Sequence, residues 1–436
     1  MGTSWPGRRQ ADHHLPRGEK RKGITEDEVE ELTPKKRKIQ ATSSYIYETL
    51  FKRGVNHDIT ICALGKEWKL HRIYLCQSGY FASMFSGNWT ESHLNTITID
   101  VPDANITQES LELAFESLYR DDVLLTESQL PSTVAAASML QLDGLLEHCV
   151  EVMRETLKAD NVIPYLNAAS SYGLHEAEHE CKDWLKVKLL THFTVSLLVD
   201  MSSELLAELL SSADLFVMQV EMDAYTLAKK WLFLACNPGW VGDLTKLCSD
   251  ADHFFKIEGV EAAFLETVRG KPYSDVFRRI RLQHVIKDLA SVGILESDRV
   301  IPESWLQPLY RQQWLRMLMV DQRLDEGPLG ITHEEFDSSA LRCGRILVEP
   351  GEYCWRWTGF SYGGTRRPNL VLLLLRIATF DGKERLQIKQ DTGIVHLNLI
   401  QDEEHDLITV DSNATFPLYI SVNMLLVSVI DQASAP

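Results

Sequence analysis

The sequence predicts a multidomain protein in which a mixed α/β domain is followed by an all-α domain and then by a mostly-β domain. Its 436 residues exceed the size at which one hydrophobic core usually stops growing. Strand and helix patterns alternate in the first third, helical periodicity then dominates, and turn signals separate apolar runs near the end. We therefore divide the chain into a tail, two domains, a linker and a third domain, at residues 1–40, 41–150, 151–320, 321–334 and 335–430.

The charge of the chain favours protein partners over nucleic acid. Residues 1–40 hold 10 Lys and Arg against 7 Asp and Glu, whereas the remainder holds 34 against 55, a formal charge of −21. An acidic surface repels phosphate backbones, so we predict no nucleic-acid partner.

Two further features bear on cofactors and membranes. The eight cysteines include no C-x-x-C pair, which argues against a zinc finger or a small disulfide framework. The longest purely apolar run, Leu370 to Leu375, is far shorter than the roughly 20 residues that span a bilayer. The sequence therefore predicts no cofactor, no metal and no direct insertion into a membrane.

The first domain is predicted from strands and helices that follow one another. Residues 59–64 alternate in polarity, and a Gly65-Lys66 turn leads into Trp68 and Leu70, a pattern typical of a β-hairpin. Apolar spacing predicts further elements, which are helices over 71–86, 111–119 and 135–149 and a strand over 97–101.

The other two domains have different periodicities. Helical spacing continues from residue 151 to about 320, with examples at 174–185, 216–234 and 276–289. After a stretch rich in Gly, Asp and Glu, turn signals separate apolar or aromatic runs at 350–351, 363–364 and 381–382. No period of 20 to 50 residues recurs there, so a repeat propeller is not predicted.

The first domain resembles a BTB (POZ) domain over about a hundred residues. The stretches that carry the resemblance, in chain order, are Asp58–Ile61, Leu70–Leu75, Ser78–Phe81, Met84–Phe85, Phe115–Tyr119 and Ala135–Asp143. Each stretch alone is weak evidence, but their order makes the set specific.

The rest of the chain resembles a narrower group of the proteins that carry a BTB domain. Four stretches of the second domain resemble a BACK helical domain: Ala169–Leu174, Cys181–Leu185, Val220–Met222 and Lys230–Leu232. Arg342–Arg345 and Glu352–Phe360 are similar to germ cell-less proteins. Members of that family have been tied to cullin-3 ubiquitin ligases, to the nuclear envelope and to germ-cell development, so the resemblance implies a role of this kind.

The resemblance also implies two interaction sites in the first domain. A homodimer interface would include Asp58, His71 and Arg72, although Asp58 and Arg72 could instead form a salt bridge within one chain. A cullin-3 surface would include a hydrophobic-x-Glu motif and its neighbours, namely Met84, Phe85, Trp89, Glu91 and Tyr119. The alternatives are that Trp89 packs on its own domain and that Tyr119 is a core tyrosine.

The basic tail predicts nuclear import. Two clusters separated by twelve residues are typical of a bipartite signal for an import receptor: Lys20, Arg21 and Lys22, then Lys35, Lys36, Arg37 and Lys38. The expected location is the nucleus, including its envelope or matrix. The alternative is a charge run that only solubilises the tail.

The third domain is expected to bind an unidentified protein substrate. Strand alternation in 353–357 places three aromatics on one face, where they either fill the core or form a binding patch. If they fill the core, Arg356, Arg366 and Arg367 remain outside, available for an acidic or phosphorylated segment.

One motif hints at catalysis. Residues 175–179 match H-E-x-x-H, which places two histidines and a glutamate on a helix in zinc proteases. The apolar stripe of that helix lies elsewhere and no third ligand is visible, so we expect a solvated face and no catalytic residues.

We therefore expect a non-catalytic, substrate-specific adaptor of a cullin-3 ligase. The alternative is a scaffold of the nuclear envelope or a transcriptional co-regulator that acts through the BTB domain without a cullin.

Overall fold

In the computed structural model, the described residues are 42–87, 93–218, 220–259, 262–322, 331–351, 369–382, 385–399, 405–410 and 415–427. One contiguous apolar core runs through all three parts of the chain, from Phe51 near the start to Tyr419 near the end. The parts are therefore packed together rather than strung along the chain.

The first domain contains the predicted hairpin. Strands β1 (Ile59–Ala63) and β2 (Lys66–Leu70) are antiparallel, and β3 (Thr96–Thr98) adds parallel to β1. The turn is Leu64-Gly65, one residue before the predicted Gly65-Lys66, and both residues have positive φ. Turns of this type require positive φ at both central positions, which explains the glycine.

Helices surround this small sheet. They are α1 (Thr42–Tyr45), continued by a π-helical turn (Ile46–Lys52), then α2 (Arg72–Leu75), α3 (Gly79–Ser86), α4 (Gln108–Glu116), α5 (Leu130–Met139) and α6 (Asp143–Thr156). The single helix expected over 71–86 is thus two helices. Buried Ser78 separates them because its hydroxyl accepts from Phe81 N–H, capping α3, and donates to the Leu140 carbonyl.

The second domain is helical across its described residues. Its helices are α7 (Val162–Ser171), α8 (His175–Lys188), α9 (Val195–Asp200), α10 (Ser203–Ser211), α11 (Met222–Cys236), α12 (Leu244–Glu258), α13 (Ser274–Arg278), α14 (Leu282–Val285), α15 (Leu289–Asp298) and α16 (Glu303–Asp321), with 3-10 turns at Phe264–Glu266 and Lys271–Tyr273. The helix expected over 276–289 is interrupted, because Arg281 reaches carbonyls of the C-terminal part and Asp288 begins α15 as its cap.

A five-stranded antiparallel sheet forms the C-terminal part. It follows helix α17 (His333–Ser339) and consists of β4 (Leu341–Leu347), β5 (Asn369–Phe380), β6 (Leu386–Asp391), β7 (Val395–Leu399) and β8 (Leu418–Val427). The long strand β5 pairs with β8 along one side and with β6 and β7 along the other. The expected linker boundary at residue 334 falls inside α17, whose capping box joins Thr332 to Glu335.

The edge strand β4 is covered by the helical domain. Gly344 N–H donates to the Met218 carbonyl at 3.3 Å. A Cβ on Gly344 would lie 2.7 Å from the Phe216 ring, so only glycine allows this approach. This packing also explains why the helix expected from residue 216 begins at Met222: the preceding residues run along β4. A covered edge cannot pair with another chain.

A buried ion pair joins the sheet to the helical domain. Arg342 of β4 is 1% exposed, and its Nε and Nη2 donate to the two carboxylate oxygens of Glu221, 0% exposed, at 2.7 and 2.9 Å. Its remaining nitrogen, Nη1, donates to the carbonyls of Leu210 and Ser212 at 2.9 and 2.7 Å. Both charges are thus satisfied, as a buried pair requires.

A second buried cation makes contact farther along the sheet. Lys188 of α8 donates to the Tyr419 hydroxyl at 3.0 Å, and its Nζ lies 4.0 Å from the centroid of the Phe380 ring. The faces of aromatic rings attract cations, more strongly when water is excluded. The helical domain therefore attaches to β5 and β8 as well as to β4.

The start of the C-terminal part is also fixed to helices. The Arg281 guanidinium donates to the carbonyls of Asp337 and Ala340. His284 Nε2 lies 2.7 Å from the carbonyl of Ser339, so this nitrogen carries a hydrogen and donates. Removal from water and the neighbouring cation of Arg342 lower the pKa of Arg281 to about 9, which leaves it charged at neutral pH.

Breaking the Arg342–Glu221 pair is expected to destabilise the protein. Arg342→Met leaves a buried, uncompensated carboxylate and should cost about 3–5 kcal/mol in the free energy of unfolding. Combining it with Glu221→Met removes the charge and should recover most of that loss. Urea denaturation of the two single variants and the double variant measures the coupling. Additive effects would contradict a direct pair.

Acidification is expected to weaken the junction at His284. Removal from water lowers the pKa of His284, and the cations of Arg281 and Arg342 lower it further, against the opposing effects of the Ser339 carbonyl and Glu221. A lowered folded-state pKa means that this contribution to stability is complete above the unfolded-state pKa, near 6.5, and is lost as pH falls through the folded value.

The measurement is the urea midpoint at pH 7.5 and pH 5.5. His284→Gln keeps an amide that can donate to the Ser339 carbonyl but does not titrate. Its midpoint should fall less on acidification than that of the wild type. Parallel changes in the two proteins would exclude His284 as the source.

Candidate functional site

The residues expected at a dimer interface lie around the start of α2. Asp58, just before β1, accepts the Arg72 backbone N–H at 2.9 Å. The exposed carboxylate of Asp58 thus fixes where α2 begins. We call Asp58, Arg72, Ile73 and Leu94 the α2 surface.

His71 supports this surface from beneath. It is 8% exposed, its Nε2 lies 3.0 Å from the Val55 carbonyl, and its Nδ1 lies 3.1 Å from the Tyr119 hydroxyl. Its backbone N–H also donates to that hydroxyl at 2.9 Å. Both ring nitrogens are occupied inside the domain, so His71 positions α2 rather than forming part of the exposed surface.

Tyr119 is also an interior residue. It is 4% exposed, stacks on Tyr74 with ring centroids 4.3 Å apart, and burial raises the pKa of its hydroxyl. This position matches the alternative of a core tyrosine, and a contact between Tyr119 and a cullin stays a prediction.

Arg72 connects the two expected interaction sites. Its guanidinium lies 4.7 Å from the centroid of the Phe85 ring and donates to the Leu94 carbonyl. Phe85 in turn stacks on buried Phe81. A residue expected at the dimer interface thus contacts a residue expected at the cullin surface, so a change at Arg72 would disturb both.

Two exposed apolar side chains lie beside Arg72, which sequence patterns did not reveal. Ile73, which follows Arg72, is 79% exposed, and Leu94, whose carbonyl accepts from the Arg72 guanidinium, is 49% exposed. The helix expected over 71–86 includes Ile73 in its apolar pattern. Because α2 ends at Leu75, it has no second turn that could bury Ile73. A prediction of the break between α2 and α3 would have identified Ile73 as exposed.

The cullin-3 residues are only partly described. Met84 and Phe85, at the end of α3, are half-buried and pack against the core. Trp89 and Glu91 lie outside the described residues, as do the basic residues of the import signal and Arg356, Arg366 and Arg367. The structure therefore leaves these predictions untested.

The H-E-x-x-H motif lies on the surface of α8. His175 and His179 are exposed, and His179 Nδ1 is 3.1 Å from an Asp183 carboxylate oxygen. Across the described ranges, no group of three His, Cys, Asp or Glu side chains is arranged to hold a metal ion. Nor does any helix in those ranges have the length and apolarity needed to cross a bilayer.

Polar contacts fix the first domain to the helical domain. Tyr172 donates to an Asp103 carboxylate oxygen at 2.7 Å and accepts from the Asn105 amide at 3.0 Å. The bond from Tyr172 lowers the pKa of Asp103. Arg154 of α6 donates to Glu180 of α8 at 2.7 Å. These bonds hold α7 and α8 in place relative to the small sheet.

Comparison with known proteins identifies the first domain and then the whole chain. The pattern that defines the BTB/POZ domain matches residues 47–157. Germ cell-less protein-like 1 of Mus musculus and that of Homo sapiens are each 45% identical to this chain over 92% of its length, covering 83% and 84% of theirs. Protein germ cell-less of Drosophila melanogaster is 31% identical over 92% of this chain and 79% of its own length. The similarity thus extends well beyond the BTB/POZ domain, and the chain belongs to the germ cell-less family.

Proposed function

We propose that this protein is a non-catalytic adaptor that forms a homodimer through its BTB domain, binds cullin-3 beside α3 and presents a protein substrate with its C-terminal part. The observation that carries the proposal is the exposed apolar α2 surface within a matched BTB/POZ domain. Exposed apolar residues beside side chains of opposite charge are suited to burial against another protein.

The α2 surface has the composition that a symmetric interface needs. In an isologous dimer the same patch meets itself, so apolar side chains can be buried against their copies while charges find partners across the axis. Ile73 and Leu94 would supply the apolar area. Asp58 and Arg72 would supply opposite charges.

Replacing the most exposed of these residues is expected to weaken the dimer. Ile73→Asp places a carboxylate in the apolar centre and should weaken association by at least about 2 kcal/mol, or some thirtyfold. Ile73 is chosen over Arg72 because the Arg72 guanidinium also packs on the Phe85 ring. Sedimentation equilibrium should give a monomer where the wild type is a dimer.

Val241→Asp is the matched control. Val241 is 94% exposed on the helical domain, and its replacement should leave the dimer intact. A wild-type monomer at micromolar concentration would reject dimerisation. An unchanged dimer in Ile73→Asp would reject this surface.

The cullin-3 proposal rests on the end of α3. Met84 and Phe85 present partly exposed apolar atoms there, and Trp89-Thr90-Glu91 follows closely in sequence. A large aromatic residue with a nearby carboxylate has the composition of an interface hot spot. Cullin-3 is proposed as the partner of this motif because the domain resembles that of BTB adaptors.

Replacing the first and last residues of the motif is expected to weaken cullin-3 binding strongly. Trp89→Ala with Glu91→Lys should weaken binding at least about thirtyfold, since a buried aromatic anchor contributes about 2 kcal/mol or more. Titration calorimetry with cullin-3 measures the affinity, and sedimentation checks that the dimer persists. Thr90→Ala is the control within the same segment. Equal affinity of wild type and double variant would refute the assignment.

The packed helical domain supports a role as a spacer. An adaptor without catalytic residues acts by holding its substrate near the ligase, which makes transfer quasi-intramolecular. The contacts of Tyr172 and Arg342 oppose bending at the two ends of the helical domain. We infer that BACK-like helices set the distance between cullin-3 and a substrate bound near Arg356, Arg366 and Arg367.

We further infer that the basic clusters within residues 20–38 carry the protein into the nucleus. The second candidate function is a nuclear-envelope scaffold or transcriptional co-regulator that uses the same BTB dimer without a cullin. The calorimetric titration separates the two, because a scaffold of that kind would dimerise and bind no cullin-3.

A further inference from the structure

The Arg72 side chain makes contacts that the start of α2 does not require. The bond that fixes this start joins the Asp58 carboxylate to the backbone N–H of Arg72, so any residue except proline could form it. The guanidinium is directed at two residues outside α2. It lies 4.7 Å from the centroid of the Phe85 ring, and its Nη2 donates to the Leu94 carbonyl. The guanidinium therefore joins the end of α3 to the residues just before β3.

Both of these contacts are made to anchored parts of the domain. Phe85 stacks on Phe81, which is fully buried, with ring centroids 5.8 Å apart. Asn95, which follows Leu94, accepts the N–H of Thr60 in β1 at 2.8 Å. The guanidinium thus connects one point held by the apolar core with another held by the small sheet.

The proposed cullin-3 motif lies between these two points in the sequence. Trp89-Thr90-Glu91 follows Phe85 and precedes Leu94. A binding motif is more effective when neighbouring residues hold it in one geometry, because less order then has to be imposed on binding. A planar guanidinium suits this task, since it can stack on an aromatic ring while its N–H groups donate in their own plane.

We propose that Arg72 is a positioning residue for cullin-3 binding, which acts by holding Phe85 and Leu94 in a fixed arrangement on either side of the motif. This inference rests on the proposed cullin-3 function and adds to it a residue outside the motif. The guanidinium acts through its two contacts and need not touch cullin-3. Placing the start of α2 is the task of the backbone N–H, which the variants below retain.

Arg72→Lys tests the side chain at constant charge. The lysine ammonium lacks the planar group that reaches the Phe85 ring and the Leu94 carbonyl together. The affinity of the full chain for cullin-3, measured by titration calorimetry, should therefore fall about tenfold. The titrations use concentrations at which sedimentation gives the same oligomeric state for every variant, so that a weaker dimer does not enter the comparison.

Arg53→Lys is the matched control in the same domain. The Arg53 guanidinium donates to the Glu48 carbonyl and to the Thr49 hydroxyl, both in the preceding π-helical turn. The same chemical change at this position should leave the affinity for cullin-3 within about twofold of the wild type. Thermal midpoints of both variants check that the chain remains folded.

A double-mutant cycle tests whether Arg72 acts through Phe85. Phe85→Leu keeps an apolar side chain at the end of α3 but removes the aromatic face. Adding Arg72→Lys to this variant should weaken cullin-3 binding by about threefold or less, because the contact with the ring is already absent. The two changes should thus be less than additive.

Four results would overturn the inference. Equal affinity of the wild type and Arg72→Lys would mean that the guanidinium positions nothing that cullin-3 needs. A full tenfold loss in the Phe85→Leu background would mean that Arg72 does not act through the ring. An equal loss in Arg53→Lys would mean that the effect is not specific to this site. A wild-type chain that binds no cullin-3 would reject the proposed function and this inference with it, whereas the first three results reject the inference alone.

Discussion

The packing of the C-terminal sheet depends on the ion pair between Arg342 and Glu221. Two charges without access to water are tolerated only when each has its full set of partners, and here the guanidinium satisfies both carboxylate oxygens and two further carbonyls. Because these partners lie at the start of α11 and at the end of α10, the pair ties β4 to two helices of the helical domain. The strand position in turn brings Gly344 against Phe216 and covers the edge of the sheet.

The three parts of the chain therefore differ in what they offer to partners. The first domain exposes apolar residues at the α2 surface, and the helical domain exposes apolar residues of α16, among them Trp314 and Met317. The sheet uses β4, β5 and β8 to bind the helical domain itself. The side chains of those strands that pack on the helical domain are therefore not available to other proteins. This division suits an adaptor, in which attachment and presentation occur at separate places.

Much of the secondary structure was predictable because burial repeats locally along a strand or helix. The alternation around Ile61 predicted the hairpin, and the spacing around Cys181 predicted α8. Breaks were harder to predict: Ser78 interrupts a helical pattern only because Leu140, far along the chain, accepts its hydroxyl. The pairing of Arg342 with Glu221 was beyond sequence reasoning for the same reason, although both residues lie in stretches that carried a family resemblance. At the candidate site, Asp58 and Arg72 were expected together, whereas the exposure of Ile73 depended on where α2 ends.

The separation of Glu221 from Arg342 has a consequence for synthesis on the ribosome. The two residues are 121 positions apart, so at about 5–20 residues per second translation supplies the arginine roughly 6–24 s after the glutamate. Strand β8, which pairs with β4 along its whole length, is made later still. During that interval the nascent helical domain cannot bury Glu221 with its partner, and Phe216 has no strand to cover it. A helical domain made without β4 would therefore hold Glu221 without its arginine and leave Phe216 uncovered by the strand.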